Sequence, residues 1–298
     1  MPLLISQAIF SNTGGMATLV GDPPNILIGA AAELTFNDFL THLGPMVVVL
    51  WGVTFGVLAY RFRHQIRTSD SERRLRQQSM RSLQAREALN DAAGARRVLL
   101  VLAGVVVLFV LERRLGITPA FAALAGAGIA LAWTGMGVHG ILQAVDWDVL
   151  LFFTGLFVMV GGLEAAGVLD RVAESLLGLQ SVSPVLLGLI IMWIMAGLSA
   201  LIDNIPVTIA VIPIILSLGA QGIDIRPLWW AIALGAGLGG NATPIGSTAN
   251  VVVISVSERT DRPITDREWL SVGLPTVLAT MLVASLLFVI LFDFLGTR

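Results

Sequence analysis

The hydrophobic residues of this chain come in long blocks separated by short polar breaks. The blocks Leu43–Tyr60, Val98–Leu111, Thr118–Gly135, Val182–Ile202 and Val272–Leu295 are expected as spans, given the ~20 apolar residues that a helix needs to cross a bilayer. Asp146–Gly167, with Gly155, Gly161 and Gly162 inside it, is expected either to span or to form one arm of a re-entrant hairpin. Val182–Ile202 stops at Asp203-Asn204-Ile205-Pro206, and Val207–Leu218 continues beyond that break. Two further blocks, Pro2–Ala32 and Trp229–Ser257, are interrupted in their middles and read as half-helix, loop, half-helix.

The two interruptions are copies of one another. Gly14-Gly15-Met16-Ala17-Thr18-Leu19-Val20-Gly21-Asp22-Pro23-Pro24-Asn25 aligns without a gap on Gly239-Gly240-Asn241-Ala242-Thr243-Pro244-Ile245-Gly246-Ser247-Thr248-Ala249-Asn250, at an offset of 225 and with six identities in twelve positions. Helix interiors disfavour Gly and Pro. Irregular backbone at membrane depth survives only where protein or a wet cavity surrounds it. Paired Gly/Pro-interrupted segments in corresponding parts of a chain point to the binding site of a secondary transporter.

Composition agrees. Of 298 residues, 56% are hydrophobic and 13% charged, and the mean hydropathy is +0.85. A soluble domain carries about 25% charged residues. The fold class expected is an all-α polytopic membrane protein with inverted repeats, broken helices and re-entrant hairpins. Its expected divisions are residues 1–60 (the end of a first repeat), 61–97 (a basic linker) and 98–298 (a second repeat). The linker holds ten of the eighteen arginines against four acids, which places it in the cytoplasm by the positive-inside rule. The expected location is the cytoplasmic membrane of a prokaryote. The start of the chain lacks the basic region of a cleavable signal peptide. The net charge of −2 gives no reason to expect nucleic acid as a partner, and the absence of cysteine excludes disulfides and thiolate metal sites. Trp229, Trp230 and Trp269 are expected at the membrane interface.

Polar side chains inside apolar blocks are the candidates for chemistry. A carboxylate at membrane depth costs about 2.5–3.5 kcal/mol on insertion scales and persists where it faces protein or a cavity. Asp203 is expected to bind a cation or proton, with Asn204 completing the cage; its alternative role is to cap the helix that follows. Asp22 stands at the break of the first motif, where it also serves as a cap for a Pro-initiated half-helix. Asn25 with Asn250 and Thr18 with Thr243 are matched polar pairs that could either ligate an ion or satisfy backbone freed by the glycines. Asn12, Asn241, Ser247 and Thr248 complete the substrate set, with Ser11 and Thr13 behind them. A sodium site is expected at Asp203, Asn204 and Asn250. Glu164 is a weaker coupling candidate. No nucleophile–base pair, metalloprotease pattern or phosphate loop appears, so no enzyme and no cofactor is expected.

Ser11-Asn12-Thr13-Gly14-Gly15 through Asp22-Pro23-Pro24-Asn25 closely resembles the signature of the ion transporter superfamily, whose ArsB/NhaD permeases and melanosomal P protein share a citrate-transporter-like domain. Asp203-Asn204-Ile205-Pro206, the second motif through Asn250, and Trp147-Asp148 with Gly161-Gly162-Leu163-Glu164 resemble that family's later motifs, in the same order. The resemblance implies inverted repeats, each with a hairpin and a discontinuous helix, holding a small inorganic or organic ion near the midplane of the lipid bilayer. Sodium or protons would be the coupling ions, and the transport would be sodium/proton antiport or permeation of arsenite or a di- or tricarboxylate. A homodimer is common for this architecture, although no residue here marks a dimer face. The departure is the lack of a counterpart to Asp203-Asn204 upstream of the first motif. Its absence leaves open a shortened half that transports only beside a partner chain.

Overall fold

A computed structural model describes residues 2–66, 92–135, 140, 143, 145, 147–167, 182–260 and 262–297. The charged stretch 67–91, together with Asp146, His139, Asp170 and Arg171, lies outside the described residues, as does the side chain of Glu164. Among the described residues there is no strand, and the protein is an all-α polytopic membrane protein. Its helices are α1 (Pro2–Gly15), α2 (Pro23–Ala32), α3 (Phe36–His42), α4 (Gly44–Ile66), α5 (Ala92–Val110), α6 (Glu112–Leu115), α7 (Pro119–Thr134), α8 (Trp147–Ala165), α9 (Pro184–Leu201), α10 (Asn204–Ala220), α11 (Arg226–Gly239), α12 (Thr248–Glu258), α13 (Asp266–Ile290) and α14 (Phe292–Leu295). Among the described residues, four helices meet the length and apolarity needed to cross a membrane: α4, α5, α9 and α13.

The chain divides into two compact units. In the smaller, Arg63–Leu151, α5 and α7 form an antiparallel pair. Val105 of α5 fills the space that a side chain would need at Gly126 of α7, and Arg97 donates to the Trp133 carbonyl at 3.2 Å. Gly116 (φ 64°) ends α6, a backbone state that costs little only for glycine. The connection between α5 and α7 is thus one short helical turn.

The larger unit, Met1–Phe62 with Phe152–Arg298, has two recognisable ends. At one, Ile5 of α1, Leu58 and Phe62 of α4, Val253 of α12, and Trp269 and Val272 of α13 share a buried cluster. At the other, His42 of α3 stacks between Trp230 of α11 and Phe294 of α14, with ring centroids 4.8 Å from each. These ends fix direction. The first broken segment, α1 then α2, leaves the Ile5 end and arrives through α3 at the His42 end. The second, α11 then α12, leaves the Trp230 end and finishes beside Val253. The two broken segments therefore cross the unit in opposite senses.

The block Val182–Ile202 holds α9, one of the candidate spans, and it pairs with the helix that follows it. Helix α9 runs parallel to α11, with Gly188 against Leu228 and Phe288 near its start and Ala200 against Thr243 near its finish. The chain then turns at Ile202-Asp203 and α10 returns. The start of α9 (Val182, Pro184, Leu187) and the end of α10 (Gln221–Asp224) line one cleft. The pair is a helical hairpin whose tip is Asp203.

The tryptophans also depart from expectation. Trp229, Trp230 and Trp269 are 3%, 2% and 0% exposed, so they sit inside the protein instead of against headgroups. Their indole nitrogens explain why two of them can: Trp230 donates to the Leu295 carbonyl at 3.0 Å and Trp269 to the Asn241 carbonyl at 3.2 Å. A buried indole needs such a partner. Trp269→Phe removes one bond to a buried loop carbonyl and should lower stability by about 1–3 kcal/mol in a detergent melting experiment.

Candidate functional site

The two loops are built by one plan. The Asn25 amide donates to the carbonyls of Gly15 (3.2 Å), Met16 (3.3 Å) and Thr18 (2.8 Å). The Asn250 amide donates to the carbonyls of Gly240 (2.8 Å) and Thr243 (2.8 Å), the matched positions. In both copies the two glycines of the loop meet backbone to backbone: a Cβ at Gly15 or Gly21 would strike the other's carbonyl, and so it is for Gly240 and Gly246. This is why the repeat keeps those glycines and that asparagine. The glycines permit the close turn, and the amide satisfies carbonyls that the interrupted helix leaves open.

The copies also touch each other reciprocally. Asn12 Nδ2 donates to Asn241 Oδ1 at 2.9 Å, while Met16 lies over Gly237. With the offset of 225, position 12 corresponds to 237 and position 16 to 241. Each copy therefore presents the same two positions to the other, the pattern of a self-complementary contact about a two-fold axis. One side of this crossing is polar and the other apolar. On the polar side Asn12 also donates to Asn250 Oδ1 (2.9 Å) and accepts from Ser247 Oγ (3.0 Å), and Asn241 donates to Thr13 Oγ1 (3.3 Å).

Beside the polar side lies a cavity of about 130 Å³, lined by Ser11, Asn12, Gly21, Asp22, Pro23, Ser247, Thr248 and Ala249. Asp22 occupies the N-cap of α2 yet makes no cap hydrogen bond. Its carboxylate instead accepts from Asn204 Nδ2 of the hairpin tip, at 3.2 and 3.4 Å. Residues 182 positions apart in sequence thus meet at the cavity. Asp203 does cap α10, its Oδ1 accepting from the Ile205 amide at 3.0 Å.

The expected residues therefore fall into three groups. Asp22, Asn12, Ser247 and Thr248 line the cavity, and Asn204 reaches its edge through Asp22. Asn25, Asn250, Asn241 and Thr243 lie in the loops behind it; Thr243 Oγ1 donates to the Ala200 carbonyl at 2.6 Å and ties the second loop to the hairpin. Thr18 lies over Gly21. The trio proposed for sodium is split: Asn204 bonds Asp22, Asp203 bonds its own helix, and Asn250 bonds its own loop and Asn12. Sequence alone missed the lining residues Pro23 and Ala249 and the Met16–Gly237 contact. The offset that aligns the repeats was the signal that could have found the last.

The loops differ in cover. Gly239, Gly240, Ala242 and Gly246 are buried, whereas Gly14, Gly15, Ala17 and Gly21 are partly or fully exposed. Water can replace a lost hydrogen bond only where it can reach. Asn250→Ala should therefore cost roughly 3 kcal/mol or more through unpaired buried carbonyls, and Asn25→Ala about half as much. Thermal melting of the two purified variants checks the order; equal losses would contradict it.

Comparison with known proteins agrees with this architecture. The model of the citrate transporter family, CitMHS, matches residues 1–235. An uncharacterized transporter of Mycobacterium tuberculosis is 40% identical over 271 residues, covering 88% of this chain and 61% of that protein. An uncharacterized transporter of Synechocystis is 33% identical, covering 97% and 68%, and the human P protein is 28% identical, covering 93% and 42%. This chain thus spans about three-fifths of the length of the mycobacterial relative. It is a member of the citrate transporter family.

Proposed function

We propose that the chain carries the ion site of a secondary active transporter in the cytoplasmic membrane of a bacterium, with sodium or a proton held at Asp22 and the two broken segments acting as an inverted repeat. The observation that carries this reading is the meeting of Asp22 with Asn204 beside a cavity that the second motif also lines. Opposed broken helices and reciprocal contacts favour the inverted repeat. The cavity lining contains one carboxylate and no arginine. A tricarboxylate would therefore enter only with accompanying cations. The start of α2 supports a cation as well: Pro23 and Pro24 have no N–H to offer an anion.

A second reading rests on the start of α12. Thr248 and Ala249 line the same cavity and retain their N–H groups, so an oxyanion could be held there while a cation sits at Asp22.

The test is ion flux in everted membrane vesicles that contain this chain. Sodium should drive proton movement, read by an internal pH probe, with lithium, arsenite and citrate as competitors. Arsenite or citrate movement without a sodium response would overturn the cation reading. Silence towards every solute, from protein shown to be in the membrane, would overturn the transport reading for this chain by itself.

A further inference from the structure

The Asn12 amide holds three groups of the second motif, and this raises the question of why an amide stands there. The answer begins at Asn250. Its Nδ2 is committed to the carbonyls of Gly240 and Thr243, so its orientation is fixed and its Oδ1 must point at Asn12. Asn241 is fixed likewise, its Nδ2 donating to Thr13 Oγ1, which itself donates to the Ile9 carbonyl. Two carbonyl-type oxygens therefore converge on position 12 and require a donor with two hydrogens. Ser247 Oγ is the third neighbour and donates to Asn12 Oδ1. A carboxylate could accept from Ser247 but would face the other two oxygens unpaired, and an aliphatic side chain would leave all three unmet.

Asn12 is 7% exposed and its amide is spent within the protein, although it borders the cavity. Ser247 is the N-cap of α12, its Oγ accepting from the backbone N–H of Asn250. Holding Ser247 thus holds the start of α12, where Thr248 and Ala249 line the cavity together with Asp22. We infer that Asn12 is a positioning residue of the ion site: it sets the separation between Asp22 and the start of α12, and it is not itself an ion ligand. The positional part stands on the structure alone; its consequence for ions rests on the transport reading above.

The chain has no cysteine, so labels can be placed at will. Pro23, at the start of α2, and Thr248, at the start of α12, both line the cavity and are exposed. Spin labels on Pro23→Cys and Thr248→Cys should show a narrow dipolar distance distribution, and Asn12→Asp should broaden it. In the flux assay Asn12→Asp should weaken apparent sodium affinity about 10- to 100-fold, the usual cost of losing a group that orients a ligand, while the maximal rate is largely kept. Ser247→Ala, which removes one bond only, should broaden the distribution less, and the double variant should add little to Asn12→Asp. This milder variant also serves if Asn12→Asp does not fold. An unchanged distribution in either single variant would overturn the proposal, as would a loss of maximal rate with affinity intact, the mark of a group acting in the transport step. A broadened distribution without any flux would leave the positioning role standing and count against the transport reading alone.

Discussion

Asp22→Asn is expected to lower sodium-driven proton movement roughly a hundredfold, on the scale of about 3 kcal/mol for losing a charged ligand. The substitution is isosteric, and Asn204 can still donate to the new amide oxygen, so the protein should fold and melt close to the parent. Asp203→Asn is the matched comparison. Asp203 already spends one oxygen on the Ile205 amide, and asparagine caps helices about as well as aspartate. Its loss of flux should be the smaller. A carboxylate that lines the cavity and one that caps the hairpin tip are thereby separated by rate, with stability held level in both. If Asp203→Asn proves the more damaging, the ion sits at the hairpin tip and the assignment to Asp22 is wrong.

That distinction was not available from sequence. Asp22 and Asp203 both precede a helix after an apolar block, and both read as caps or as ion ligands. Their separation depends on Asn204 reaching across 182 positions, a contact that no local pattern announces. What local pattern does announce was legible: the two loops, the offset that relates them, and the membrane class. These follow from glycine, proline and apolarity, whose effects act within a few residues. The asparagines show the limit. Sequence identified Asn25 and Asn250 as a pair and left open whether they serve an ion or the backbone. Their amide nitrogens go to the backbone, because a broken helix leaves carbonyls that must be met before any ion is considered. The return of α10 and the burial of the tryptophans lay beyond local pattern for the same reason. A segment's length and amphipathic character say nothing of whether its far end returns, or whether lipid or protein lies against it.

A large loss of stability is expected at Gly239→Ala, and almost none at its repeat partner Gly14→Ala. A Cβ at Gly239 would enter the backbone of Ala196 on α9. That helix cannot withdraw, because Ser199 Oγ donates to the Ala236 carbonyl at 2.7 Å and Thr243 holds Ala200. Gly235, one turn earlier, meets the Met192 carbonyl in the same way, so α9 and α11 pack through a small-residue seam of the kind that lets membrane helices approach closely. Overpacking such a seam costs about 1–3 kcal/mol and more where backbone must shift. At Gly14 the obstacle is the Trp51 indole, which is 47% exposed and has room to turn aside. There the alanine gains about 1 kcal/mol of helix propensity over glycine, which offsets the displacement. Detergent melting should therefore place Gly239→Ala well below the parent and Gly14→Ala near it. Adding Trp51→Ala to Gly14→Ala should not lower the melt through any clash at position 14. Equal damage at the two glycines would mean that the first loop is covered as tightly as the second, and would contradict the difference in burial between the copies.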